Sequence, residues 1–81
     1  MDEREVEIVN FILARRKTHY GDIATHMNLS QRTIAKILDQ IEVEIGKEDV
    51  QLVRRPNDGI YFTGKVNQLR QSLVNNYDSS P

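Results

Sequence analysis

The sequence predicts a mainly α-helical domain carrying one β-hairpin, and three observations predict it. Apolar residues recur at helical spacing in four separate stretches. Between the second and third stretch, Asn28-Leu29-Ser30 supplies a helix exit and a helix entry within three residues. Late in the chain, two runs rich in β-branched and aromatic residues flank Arg55-Pro56-Asn57-Asp58-Gly59.

Residues 3 to about 16 form the first helix, with Ile8, Val9, Ile12 and Leu13 as its buried stripe and Val6 beside them. Phe11 lies off that stripe, so the apolar arc is wider than one packing partner needs; either a later helix or a partner chain covers it. Lys17 to His19 make a basic, polar connection, and either Thr18 or His19 caps the helix that follows.

On that short second helix Ala24 is small where another helix must cross closely, and Gly21 weakens the helix by roughly 1 kcal/mol relative to Ala. Asn28 stands at the exit, because Asn is second only to Gly in tolerating a left-handed conformation. Ser30 fits the N-cap of the third helix, its hydroxyl accepting a backbone N–H one turn in. Met27, Leu29, Ile34 and Ile37 fill the space between the two helices.

The third helix runs from Gln31 to about Ile45. Ile34, Ile37, Leu38, Ile41 and Ile45 repeat at three and four, and Gly46 follows as a C-terminal glycine. At about 100° per residue, Arg32 and Lys36 point away from that stripe and stack one turn apart. Asp39, Glu42 and Glu44 come later and are repelled by phosphate, which confines any nucleic-acid contact to the first turns. Val43 faces outward.

Val50 to Arg54 and Ile60 to Thr63 are the two strands, joined by a turn rich in Pro, Asn, Asp and Gly. Val50 and Leu52 share one face, with Ile60 and Phe62 beside them over the helices. Val66 to Tyr77 resumes helical spacing through Val66, Leu69, Leu73 and Val74, a stripe able to cover the spare arc of the first helix. The architecture is therefore a winged helix-turn-helix: a three-helix bundle, a two-stranded wing and a closing C-terminal helix. Residues 1–64 are the expected DNA-binding domain, 65–77 a closing or connecting helix, and 78–81 a linker into further domains of a longer protein.

The bulk properties agree with one small globular domain. The chain has 81 residues, 38 % of them hydrophobic and 28 % charged, and no cysteine. At this length only about 60 % of the unfolded surface is buried. The lack of cysteine leaves no disulfide scaffold or thiolate metal site and fits a reducing, cytoplasmic setting. The longest apolar run is Phe11 to Ala14, too short to span a membrane, and the acidic first residues do not read as a signal peptide.

A net charge of −1 is unusual for a nucleic-acid binder, but the charge is segregated. Residues 1–14 carry four acids against one base, and 37–49 carry five against one; residues 15–36 carry five bases against one acid, and 50–70 four against one. The basic blocks coincide with the helix-turn-helix and its approach, where His19 counts among the DNA-contacting residues, and with the wing.

No Gly-rich phosphate loop, nucleophile–base pair or carboxylate dyad is present, so no enzyme, cofactor or small-molecule ligand is expected. His19 and His26 have no third ligand at metal spacing. Arg54 and Arg55 beside Pro56 serve either to contact phosphate or to protect an exposed strand edge. The alternative function is a winged-helix protein-interaction module working through the acidic, broadly apolar first helix. Against it, Gln31, Arg32, Thr33 and Lys36 cluster where base edges are read.

The stretches Asp22-Ile23-Ala24, Asn28-Leu-Ser-Gln-Arg-Thr-Ile34 and Val53-Arg-Arg-Pro-Asn-Asp-Gly-Ile-Tyr-Phe-Thr-Gly64 are similar to the N-terminal domains of bacterial sugar-operon transcriptional activators. Those regulators also carry phosphotransferase-system regulation domains. The resemblance covers about residues 4 to 75, and it departs at Asn28, where a Gly is commoner. It implies that Ser30, Gln31, Arg32, Thr33 and Lys36 meet double-stranded DNA, with Arg54, Arg55 and Asn57 on the wing. It further implies a homodimer of the full-length protein on a pseudo-palindromic operator. Biotin ligases that double as repressors begin with a similar domain.

Overall fold

The computed structural model describes residues 1–77, and the expected linker 78–81 lies outside the described residues. Along the chain run α1 (Glu3–Arg15), α2 (Tyr20–Met27), α3 (Gln31–Ile45), a 3₁₀ turn (Gly46–Glu48), β1 (Val50–Arg55), β2 (Gly59–Gly64) and α4 (Val66–Tyr77). This is the winged helix-turn-helix that the apolar spacing predicts.

Helix α1 starts at a capping box: the Asp2 carboxylate accepts the Glu5 N–H and the Glu5 carboxylate accepts the Asp2 N–H, each at 2.8 Å. Its stripe of Ile8, Val9, Ile12 and Leu13 meets Ile23 of α2 and Ile34, Leu38, Ile41 and Ile45 of α3 in one core, closed by Val50, Ile60, Leu69 and Leu73. The wide arc of α1 is covered by a later helix, as one of the two alternatives had it, but that helix is α2 and not α4. His26 of α2 stacks on Phe11 with centroids 4.3 Å apart, and the Arg15 guanidinium sits 4.5 Å from the same ring. Helix α4 instead buries Leu69 and Leu73, and leaves Val74 56 % exposed.

His19 takes the N-cap position of α2 with an extended backbone, yet its side chain caps nothing. Thr18 goes elsewhere: its N–H donates to the Ile60 carbonyl at 3.0 Å, and its carbonyl accepts from Ile60 N–H at 2.7 Å. This single bridge adds a third, one-residue strand to the β1–β2 sheet. To reach it the chain turns tightly at Arg16 (φ 66, ψ −46), where Lys17 N–H donates to the Arg15 carbonyl at 2.7 Å.

The end of α3 also departs from expectation. Gly46 is right-handed (φ −57, ψ −20), the helix tightens into the 3₁₀ turn, and Asp49 makes the left-handed exit (φ 56, ψ 34). The extra turn carries the chain from Ile45 to Val50, both buried. Asp tolerates this conformation better than most residues.

In the hairpin, Leu52 pairs with Phe62, Arg54 with Ile60 and Arg55 with Gly59. Side chains alternate across a strand. The inner face therefore holds Val50, Leu52, Ile60 and Phe62 as expected, and it holds Arg54 as well.

Candidate nucleic-acid interface

The joint between α2 and α3 fixes how the third helix is presented. Asn28 is left-handed (φ 57, ψ 45), its N–H donates to the Thr25 carbonyl at 3.3 Å, and Leu29 N–H donates to the Ala24 carbonyl at 3.0 Å. Two free carbonyls of α2 are thereby satisfied and the chain leaves sharply. Ser30 then starts α3, its Oγ accepting Thr33 N–H at 3.1 Å and donating to Thr33 Oγ1 at 2.9 Å.

With the back of α3 fully buried, its opposite face is left for solvent. Gln31, Arg32 and Lys36 are exposed there and Thr33 is half-buried. Among the described residues the side chains of Arg32 and Lys36 make no hydrogen bond or ion pair, so two full positive charges stand one turn apart beside the partly positive end of the helix. Such a surface suits a polyanion whose grooves admit a helix.

The wing stands beside this helix. A groove of about 580 Å³ separates them, lined by His19, Tyr20, Gln31, Arg55 and Pro56 among others. His19, Arg55 and Asn57 are all exposed, and among the described residues the side chains of Arg55 and Asn57 make no hydrogen bond. A tether holds the wing turn down: Lys17 Nζ lies 2.7 Å from Asp58 Oδ1 and 5.2 Å from the Tyr61 ring centroid. The hydrogen bond and charge of Asp58 raise the Lys17 pKa, and the hydrogen bond from Lys17 lowers that of Asp58 in spite of desolvation, which opposes it.

Arg54, expected either to contact phosphate or to protect the strand edge, is engaged by protein groups. Its side chain is only 19 % exposed. Nη1 donates to Asp39 Oδ1 at 2.7 Å and Glu42 Oε1 at 2.9 Å, Nε to the Tyr20 hydroxyl at 2.8 Å, and Nη2 to the Ala35 carbonyl at 3.3 Å. Desolvation opposes the charge, but the bonds to Glu42, Asp39 and Tyr20 outweigh it and hold the guanidinium above the ordinary arginine range. The reason is register: Arg54 shares its face with Val50, Leu52 and Ile60, and must find partners against α3. The strand period carried that signal.

The other residues missed from sequence are Thr18, Lys17 and Asp58, which join the approach of α2 to the wing. A one-residue strand has no period to detect. Among the described residues no group of three or more His, Asp and Glu side chains could hold a metal ion, and no helix is long and apolar enough to cross a membrane.

Residues 2–48, covering α1 through the 3₁₀ turn, match the family model described as the M protein trans-acting positive regulator (MGA) HTH domain. No curated protein and no solved structure matches the chain. The match spans more than half of the sequence and contains the joint at Asn28 and the exposed face of α3. The chain belongs to the MGA HTH domain family, and it is a winged-helix DNA-binding domain of the kind found in regulators.

Proposed function

We propose that this domain reads double-stranded DNA in a sequence-specific way for a bacterial transcriptional regulator. The first turns of α3 enter the major groove, and the wing rests on the adjacent backbone. The observation that carries the reading is the pair Arg32 and Lys36, exposed and unpartnered on a helix whose other face is fully buried. Arg32 and Gln31 have the chemistry to meet base edges; Ser30, Thr33, Lys36, His19, Arg55 and Asn57 surround them as polar or phosphate contacts.

One such domain offers few contacts, so the full-length protein binds as a homodimer on a pseudo-palindromic operator, in the cytoplasm. The similarity of residues 53–64 to sugar-operon activators supports control of sugar uptake or metabolism, with phosphotransferase-system regulation domains in the same regulator.

The test starts with a duplex selected by the chain from a randomised pool. On it, Arg32→Ala costs about 1–3 kcal/mol and relaxes preference at one base pair if the guanidinium reads a guanine. Lys36→Ala weakens all sequences alike and reduces the salt slope by about one unit if it meets phosphate. Failure of the chain to enrich any duplex at low salt, or unchanged affinity in both variants, removes this reading in favour of an interaction module.

A further inference from the structure

We propose that Arg54 is a positioning residue for DNA reading. It offsets one of the two negative charges of Asp39 and Glu42 beside the recognition face of α3 and locks the wing to that helix, without touching DNA itself. The inference rests on the DNA-reading function proposed above.

The helical projection carries the first part. Relative to Arg32, Lys36 lies about 40° to one side and Asp39 about 20° to the other, at about 100° per residue. Asp39 thus occupies the same outward face, and 70 % of its side chain is exposed. Left alone, its carboxylate and that of Glu42 would oppose the approach of phosphates. Arg54 Nη1 lies within 2.9 Å of both.

The second part is geometric. Arg54 comes from β1, and its planar fork is held from three directions: by Tyr20 of α2, by Asp39 and Glu42, and by the Ala35 carbonyl of α3. Movement of the wing relative to α3 therefore breaks several hydrogen bonds at once. A guanidinium so engaged has little left to offer a phosphate, whereas Arg55 on the opposite face of the same strand is free to do so.

A double-mutant cycle separates this role from a direct phosphate contact. Binding is measured by fluorescence anisotropy on the duplex selected by the wild-type chain, with folding checked by circular dichroism. Arg54→Met is expected to weaken binding at least tenfold in the wild-type background and less than threefold in the Asp39→Asn/Glu42→Gln background. The amides of β1 should also exchange faster in Arg54→Met before any DNA is added. A direct phosphate contact predicts an equal or larger loss in the neutralised background, and that result overturns the proposal.

If Arg54→Met unfolds, Arg54→Lys decides: it keeps the charge and loses the fork, so a loss relieved by Asp39→Asn/Glu42→Gln supports positioning. Full affinity in Arg54→Lys, or a loss that is not relieved, refutes it. If the wild-type chain selects no duplex, the functional reading fails; if it selects one and the cycle is additive, only the role of Arg54 fails.

Discussion

Gly59 and Gly46 should respond to the same substitution with opposite signs. Gly59 has φ 129, and a Cβ there would lie 2.8 Å from Lys17 Cγ and 2.9 Å from the Thr18 carbonyl oxygen. The lysine stem can swing aside. The carbonyl cannot, because it accepts the Ile60 N–H at 2.7 Å. Forcing an L-residue into this conformation costs about 1–3 kcal/mol, and disturbing the two Thr18–Ile60 bonds adds about 1 kcal/mol for each one lost. Gly59→Ala is therefore destabilising by about 2–5 kcal/mol, which in a domain of this size lowers the melting temperature by at least about 10 °C.

Gly46 has helical dihedrals and nothing within 4 Å of the added carbon. Alanine there restricts the unfolded chain without straining the folded one and stabilises by about 0.4–1 kcal/mol. Thermal unfolding followed by circular dichroism, at fixed pH and concentration, compares the three proteins, and hydrogen exchange at Ile60 reports the bridge directly. A Gly59→Ala protein that melts with the wild type and keeps the Ile60 amide protected would refute the clash. A Gly46→Ala protein that melts lower would show that this glycine is needed for a left-handed exit after all.

Four further outcomes are expected. At the left-handed Asn28, Asn28→Gly is neutral or slightly stabilising and Asn28→Val destabilises by roughly 1–2 kcal/mol or more, as thermal melts will show; equal melting temperatures would place the helix exit elsewhere. The folded Asp58 titrates below its ordinary 3.8, so its contribution to stability is present above that pH and lost as pH falls through the lower folded value; carboxyl NMR should find this midpoint moving up in Lys17→Met. Lys17 titrates above 10.5, so its contribution is complete below that pH and lost as pH rises through the folded value. For the DNA-reading function, fusing the chain after residue 77 to a dimeric coiled coil should tighten binding strongly on a two-half-site duplex and weakly on a single half-site; equal gains on both would argue against paired reading.

The helix-turn-helix was readable because its demands are local. Asn28 and Ser30 act on the backbone within a few residues, and the α3 stripe holds its spacing over four turns. The hairpin was equally plain from its turn chemistry. Less accessible were features decided by partners distant in sequence. Thr18 pairs because Ile60 passes beside it, and nothing within residues 15–20 announces a strand. Gly46 looks like a stop signal but is overruled by the need to seat Val50, which moves the left-handed residue to Asp49.

The candidate site divides the same way. The exposure of Arg32 and Lys36 follows from helix geometry alone. Arg54 and Arg55 look alike as a dipeptide, yet the alternation of a strand sends one to α3 and the other to solvent. The period of two already separated them; the partners Asp39, Glu42 and Tyr20 became identifiable only with the tertiary structure.

The bridge between Thr18 and Ile60 bears on the order in which the molecule assembles. Lys17 and Asp58, its flanking ion pair, are 41 residues apart, whereas the hairpin closes on itself across Arg55 and Gly59. Closing the longer loop costs about 2 kcal/mol more in chain entropy than closing the turn, at about 0.6 kcal/mol for each doubling of length. The helix-turn-helix and the hairpin can each form from near neighbours, so their docking through residue 18 comes late. Weakening that seam should speed unfolding and leave the folding rate nearly unchanged. The wing is then the last part to dock, held to the helices by the buried side chains of Val50 and Ile60, the Thr18–Ile60 bridge, the Lys17–Asp58 ion pair and the Arg54 node.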